Sequence, residues 1–263
     1  MTKPVYEDII YEIRGTAAWV IINRPKVYNA FRGRTVEELI HAFQSAANDK
    51  SVSSIVLTGS GDKAFCTGGD QSAHDGNYDG RGVVGLPLEE FWNLIRETPK
   101  PVIARVNGFS IGGGNVLTTL CDLVIAADSA KFGQTGPKVG SFDAGWGSAL
   151  LARHVGDRRA REIWFLNERY TAHEALAMGL INKVVPMEEL DAAVDAWTTT
   201  LSERSPTALA FLKRSLNADS DSIRGIANMA LHGLKLFYAT DESKEGVAAF
   251  MEKRKPDFKK FVG

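Results

Sequence analysis

An α/β fold with a helical C-terminal region is predicted by three observations. Apolar runs of strand length alternate with runs at helical spacing through the first part of the chain, the strand-like runs stop after about residue 190, and amphipathic helical spacing continues beyond. The division expected is therefore an α/β core over 1–190 and a helical region over 191–263. With 263 residues the chain is long enough to bury a sizeable core without a partner.

The elements follow in order. Ile9, Tyr11 and Ile13 alternate with polar neighbours, the period of a half-buried strand, and Ala17–Ile22 is continuously apolar up to Asn23-Arg24-Pro25. The period then changes: Val36, Leu39, Ile40, Phe43 and Ala46 fall on one helical face, and Ser54–Thr58 reads as a buried strand ended by the turn GSGDK. Alternation continues through Glu89–Ile95, Val102–Val106, Val116–Leu120 and Leu123–Ala127. Thr171-x-x-Glu174 fits a capping box ahead of Ala175-Leu176. Leu190, Val194, Trp197 and Leu201 mark an amphipathic helix, and Ser205-Pro206 reads as an N-cap with proline in the first helical position. Leu209, Leu212 and Leu216 continue the helix that this cap begins, and Ile223, Ile226, Ala230, Leu234 and Phe237 mark another.

Charge and cysteine usage narrow the class. Thirty-one basic and 32 acidic residues nearly cancel, so no bulk field favours nucleic acid or an anionic membrane, and any anionic ligand must be bound locally. Cys66 and Cys121 lack metal or redox spacing, so no metal site is expected. The opening residues MTKPVYEDII hold no signal-peptide-like apolar run and no stretch approaches a membrane span, which points to a soluble, cytoplasmic protein.

Three glycine-containing segments carry the chemistry: AFCTGGDQ at 64–71, GFSIGGGN at 108–115 and FGQTGPKVGSFDAGWG at 132–147. The first two stand between strand-like and helical stretches, where backbone N–H groups converge on a cleft and form an oxyanion hole. Gly108-Phe109-Ser110-Ile111-Gly112 also fits the Gly-x-Ser-x-Gly nucleophile elbow, with His154, His173 and His232 downstream in the required order. A serine hydrolase using Ser110 and a crossing of two backbone donors are thus separate readings.

NRPKVYNAF, AFCTGGD, SIGGGN and AHEALAMGLINKVVP together resemble the crotonase superfamily, whose members bind acyl-CoA thioesters and stabilise an enolate with two backbone N–H groups. The resemblance covers almost the whole chain. It implies a spiral of repeated β-β-α units followed by helices that pack against neighbours, as trimers or dimers of trimers. It implies Gly69 and Gly113 as the two donors and leaves Ser110 as a small residue in a tight connection. Hydratases of this family carry two glutamates that manage water, and here those positions hold Val116 and Gly136.

Asp143, in the loop GSFDAGWG, is either a turn residue or the working aspartate found there in two subgroups that the chain resembles, the 2-ketocyclohexanecarboxyl-CoA hydrolases and the 1,4-dihydroxy-2-naphthoyl-CoA synthases. One subgroup opens a ring and the other closes one. The loop QSAHDGNYDGRGVVGLP resembles the ring-opening hydrolases and lacks the basic residues of the synthase loop. By the same resemblance Ser141 orients Asp143, Tyr238 comes to the site from the C-terminal region, and Tyr78 closes over the ring; Tyr238 reads equally well as a core residue beside Leu236 and Phe237. Coenzyme A, carried by the substrate, is expected past Arg24, Lys26, Val27 and Ala64, with bicarbonate as an occupant of the space beside Gly136. The basic tail KRKPDFKK at 253–260 reads as a solvated charge run or as a contact for CoA phosphates. A non-catalytic acyl-CoA-binding module remains the other class of function, and turnover excludes it.

Overall fold

The computed structural model describes residues 5–73, 78 and 80–262. In order, the elements are β1 (Ile9–Arg14), β2 (Ala17–Ile22), α1 (Gly33–Asn48), β3 (Ser54–Gly59), β4 (Ala64–Cys66), α2 (Leu88–Glu97), β5 (Val102–Val106), β6 (Phe109–Ile111) and α3 (Gly113–Leu120). Then come β7 (Leu123–Ala127), β8 (Lys131–Gly133), α4 (Leu151–Val155), α5 (Asp157–Leu166), β9 (Tyr170–Thr171), α6 (Ala172–Ala177) and β10 (Lys183–Val185). Four helices follow: α7 (Leu190–Ser202), α8 (Pro206–Ala218), α9 (Ser222–Tyr238) and α10 (Asp241–Met251). The α/β fold and its helical C-terminal region are as the sequence predicts.

The strands form two sheets. The larger has the order β1-β2-β3-β5-β7-β10, antiparallel only between β1 and β2. Its continuous apolar strands are buried on both faces, as a parallel sheet requires. Ala18, Val20, Ile55, Leu57 and Ala104 face the core shared with α1, α2 and α3, whereas Trp19, Val56 and Ile103 face Leu190, Ala193 and Val194 of α7. The smaller sheet, β4-β6-β8-β9, is built from strands of two or three residues. Such strands are too short to show a period, so only the larger sheet is legible as alternation.

The capping box at Thr171 and Glu174 is present, with the Thr171 N–H donating to the Glu174 carboxylate at 2.7 Å. Ser205 caps α8 by accepting from the Ala208 N–H at 3.3 Å. The outcome differs for the apolar stripe on that helix. Lys213 is its buried side chain, donating through Nζ to Asp122 (2.7 Å), the Ile95 carbonyl (2.8 Å) and the Lys100 carbonyl (3.1 Å), while Leu212 and Leu216 face outward. A cation satisfied by one carboxylate and two carbonyls can be buried, and it turns the leucines away from the core. Ile223, Ala227, Leu231, Leu234 and Tyr238 of α9 join the main core, so 191–263 shares its packing with 1–190.

Candidate active site

Two of the short strands end at glycine turns that lie against each other. After β4 the chain turns at Gly68, whose φ of +87° lies in the left-handed region open to glycine, and after β6 it turns at Gly112 with φ +57°. The segments then touch. A Cβ on Gly68 would stand 2.9 Å from the Gly113 nitrogen, so no larger residue fits there.

Each donor is directed by what surrounds it. The Phe31 N–H donates to the Gly68 carbonyl at 2.8 Å, and the Asp70 N–H donates to the Phe31 carbonyl at 2.9 Å, a parallel bridge between Phe31 and Gly69. With its neighbours' groups engaged on one side, Gly69 turns its own N–H to the other. Gly113 is the first residue of α3, where helical N–H groups lack intrahelical acceptors and the helix dipole is positive. Among the described residues neither N–H has a protein acceptor.

Both glycines line a cavity of about 580 Å³ with Tyr78, Asp143, Tyr238, Gly136, Ser141 and Val27. Val84, Leu86, Leu88, Trp92 and Leu234 supply an apolar wall. This combination of an apolar lining and a few convergent polar groups suits a small organic ligand. The Tyr78 hydroxyl reaches the Gly69 backbone, since a Cβ on Gly69 would lie 2.1 Å from it. Gly136 is packed as closely, with the Ser141 carbonyl 2.7 Å from where its Cβ would stand.

Asp143 is a carboxyl lining the cavity. It accepts no hydrogen bond and forms no ion pair among the described residues, and burial raises its pKa to about 6. Asp70, the other carboxylate lining the cavity among the described residues, behaves differently. Burial pushes it up, but hydrogen bonds from Ser72 and Arg24 outweigh that and hold it below the ordinary aspartate range. An acid poised near 6 can both take and return a proton at neutral pH. Burial raises the phenols of Tyr78 and Tyr238, and the neighbouring Asp143 adds to both shifts.

Several expected contacts change. Ser141 does not reach Asp143: its hydroxyl pairs with the Tyr238 hydroxyl at 3.0 Å, fixing that tyrosine to the loop instead. Arg24 lies outside the cavity lining, paired with Asp70 at 2.8 Å. Ala64 is buried, and its carbonyl is occupied by the side-chain amides of Asn29 (2.7 Å) and Asn107 (3.1 Å). Lys26 is exposed and does not line the cavity, whereas Val27 does. Residues 74–77 and 79 of the loop QSAHDGNYDGRGVVGLP lie outside the described residues. Phe31 and Gly68 line the cavity beside the two glycines, at positions that the spacing of residues did not single out. The end of NRPKVYNAF is the signal that contains Phe31.

The nucleophile elbow is not formed. Ser110 is fully buried within β6 and its hydroxyl pairs with Thr118 Oγ1 at 2.7 Å. His154, His173 and His232 sit on α4, α6 and α9 and none lines the cavity. Ser110→Ala is therefore expected to keep most activity at a stability cost of about 1 kcal/mol for the lost hydrogen bond, with no labelling of the wild type by a fluorophosphonate probe. A loss of about 10³-fold or more, the scale of removing a nucleophile, together with labelling at Ser110, would restore the serine hydrolase.

A family model described as enoyl-CoA hydratase/isomerase matches residues 12–261. Among solved structures, an enoyl-CoA hydratase from Mycobacterium avium subsp. paratuberculosis K-10 superposes with a TM-score of 0.86 at 28% identity, covering 97% of this chain and 99% of that one. A carnitinyl-CoA hydratase from Mycobacterium avium gives 0.83 at 32% identity over 97% of this chain and 100% of its own. An enoyl-CoA hydratase/isomerase from Pseudoalteromonas atlantica T6c gives 0.85 at 26% identity, with 96% and 100% covered.

Proposed function

This chain belongs to the enoyl-CoA hydratase/isomerase family, within the crotonase superfamily, and from that premise we propose that it is a ring-cleaving hydrolase of a cyclic β-keto acyl-CoA. The reaction is 2-ketocyclohexanecarboxyl-CoA plus water to pimeloyl-CoA. The observation that carries this reading is the set of acids in the cavity. Among the described residues Asp143 lines it without a hydrogen-bond or ion-pair partner, Asp70 is paired with Arg24, and the positions of the hydratase glutamates hold a core-buried Val116 and Gly136. One poised carboxyl among the described residues suits one proton taken and one returned; it does not suit the paired handling of water in hydration.

Water adds to the ring ketone, and collapse of that adduct breaks the bond to the α-carbon, which leaves as a thioester enolate. Negative charge grows on the thioester oxygen only as that bond breaks, so the N–H groups of Gly69 and Gly113 stabilise the transition state more than the substrate. Asp143 takes a proton from water or the adduct and returns one to the α-carbon. The thioester survives and the new carboxylate carries the oxygen of water. Tyr238, held by Ser141, and Tyr78 line the cavity where the ring would bind.

Bicarbonate beside Gly136 is part of the same proposal, and it would have to enter from the cavity side, because the Cβ side of Gly136 is closed by Ser141 and Phe142. Gln134, two positions upstream, is fully buried with neither amide atom satisfied, and Thr135 and Gly136 line the cavity. Thr135, which lines the cavity, would be the side chain available to hold the anion, and the anion would supply a base where hydratases place a carboxylate. A homo-oligomer, a trimer or dimer of trimers, is proposed on the outward faces of α8 and α9, where Phe211, Leu216, Met229 and Leu236 are each at least 70% exposed.

The direct test offers the purified protein two substrates and follows product mass. 2-Ketocyclohexanecarboxyl-CoA is expected to gain one water with CoA still attached. The same Gly69, Gly113 and Asp143 could serve a ring-closing synthase, which would instead convert o-succinylbenzoyl-CoA with loss of water. Efficient cyclisation of the latter, with no opening of the former, overturns the hydrolase; no turnover of any acyl-CoA favours a binding module.

A further inference from the structure

We propose that Arg24 is a positioning residue for the Gly69 oxyanion donor and does not contact coenzyme A. Its guanidinium spans three separate segments. Nη2 donates to Asp70 Oδ2 at 2.8 Å, Nη1 to the Ala30 carbonyl at 2.5 Å, and Nε lies 3.7 Å from Asp8 Oδ2. Its backbone N–H donates to the Asn29 side chain at 3.0 Å. The side chains of Arg24 and Asp70 are 15% and 7% exposed, too enclosed to share with a phosphate at the cavity mouth.

The consequence falls on Gly69. Asp70 follows it directly, donates its N–H to Phe31, and uses its other carboxylate oxygen for the Ser72 N–H (3.1 Å) and hydroxyl (2.6 Å). Arg24 thus holds both sides of the Phe31–Gly69 bridge at once: Ala30, which precedes Phe31, and Asp70, which follows Gly69. Asp8 anchors the assembly, since it also takes Arg32 Nε (2.8 Å), Arg32 Nη2 (2.9 Å) and Thr35 Oγ1 (2.6 Å). Removing the guanidinium frees Asp70 to rotate and leaves a buried carboxylate uncompensated, so the peptide carrying the Gly69 N–H loses its fixed direction. A displacement of about 1 Å at such a donor can cost about 10²-fold in rate.

The test does not need the ring-opening reaction, although it rests on Gly69 as the carbonyl donor. 4-(Dimethylamino)cinnamoyl-CoA is a push–pull thioester whose absorbance moves to the red when its carbonyl is hydrogen-bonded. Bound to the wild type it is expected to show that shift. Arg24→Gln should lose at least half of it while the dissociation constant for free CoA changes less than twofold. Asp70→Asn, which keeps the volume and can still meet Ser72, should reproduce the loss, and the double variant should be no worse than either single one. If Arg24→Gln does not fold, Asp70→Asn gives the same reading. A full red shift in the variants, with CoA binding weakened tenfold or more in Arg24→Gln, overturns the proposal and returns Arg24 to the CoA site. No shift in the wild type removes Gly69 as a carbonyl donor, whichever reaction the enzyme performs.

Discussion

Gly113→Val is expected to reduce turnover by about 10³-fold or more while the far-ultraviolet circular dichroism stays that of the wild type. A Cβ at this position stands 2.8 Å from Phe31 Cζ and 3.2 Å from the Gly68 Cα. The two further methyl groups of valine must therefore push the phenyl ring and the segment that brackets Gly69. Both donors are disturbed, and each is worth about 10²–10³ in rate where one has been removed from an acyl-transfer site. The position tolerates a side chain in backbone terms, because Gly113 begins α3 with helical geometry, so the loss belongs to the site and not to the fold. Full activity in this variant would remove Gly113 from the oxyanion hole.

Asp143→Asn carries the second large effect. It preserves shape and removes the proton acceptor, so kcat is expected to fall by about 10²–10⁴ with little change in CoA-ester binding. In the wild type kcat/KM should decline below pH about 6, where the carboxyl becomes protonated, and this limb should vanish in the variant. Stability moves the opposite way. The folded carboxyl has a pKa of about 6 against 3.8 unfolded, so the folded state binds the extra proton between these values. The cost of holding the charge is absent below 3.8, grows through the window, and is complete above 6. Asparagine should thus raise the Tm most above pH 6 and not at all below 3.8. The shift sets a ceiling of about 3 kcal/mol, which partial contact with solvent reduces to about 1–2 kcal/mol. An unchanged kcat where chemistry limits the rate would return Asp143 to a turn residue.

What the sequence conveys and what it withholds follow from the range of the interactions. Ala17–Ile22, Ser54–Thr58 (observed as Ser54–Gly59) and Val102–Val106 are read correctly because burial of a strand on both faces leaves a continuous apolar run. Ser205 and Thr171 are read correctly because a cap is a contact between residues three apart. Gly69, Gly113 and Asp143 stand out through glycine-rich segments and a family resemblance, and the structure brings them to one cavity. Other features are long-range. Arg24 and Asp70 are 46 residues apart, and Ser141 and Tyr238 are 97 apart, so neither pairing has a local signature. Lys213 shows why spacing alone misplaces a helix face: its partners, Asp122 and the carbonyls of Ile95 and Lys100, exist only after the core has assembled.

The two halves of the cavity hang from the same small sheet but differ in backbone constraint. Gly69 and Gly113 follow β4 and β6 of the small sheet, and their neighbours Gly68 and Gly112 cannot be replaced without strain. Asp143 and Gly136 instead lie between β8 and α4, in a stretch without a strand. Descendants of such a scaffold can diverge in reaction type by substitutions confined to 134–147, while 64–70 and 108–115 stay fixed. For an engineer the same partition defines a library: randomising 134–147 samples new acid–base arrangements around the two proposed backbone donors, which every member keeps.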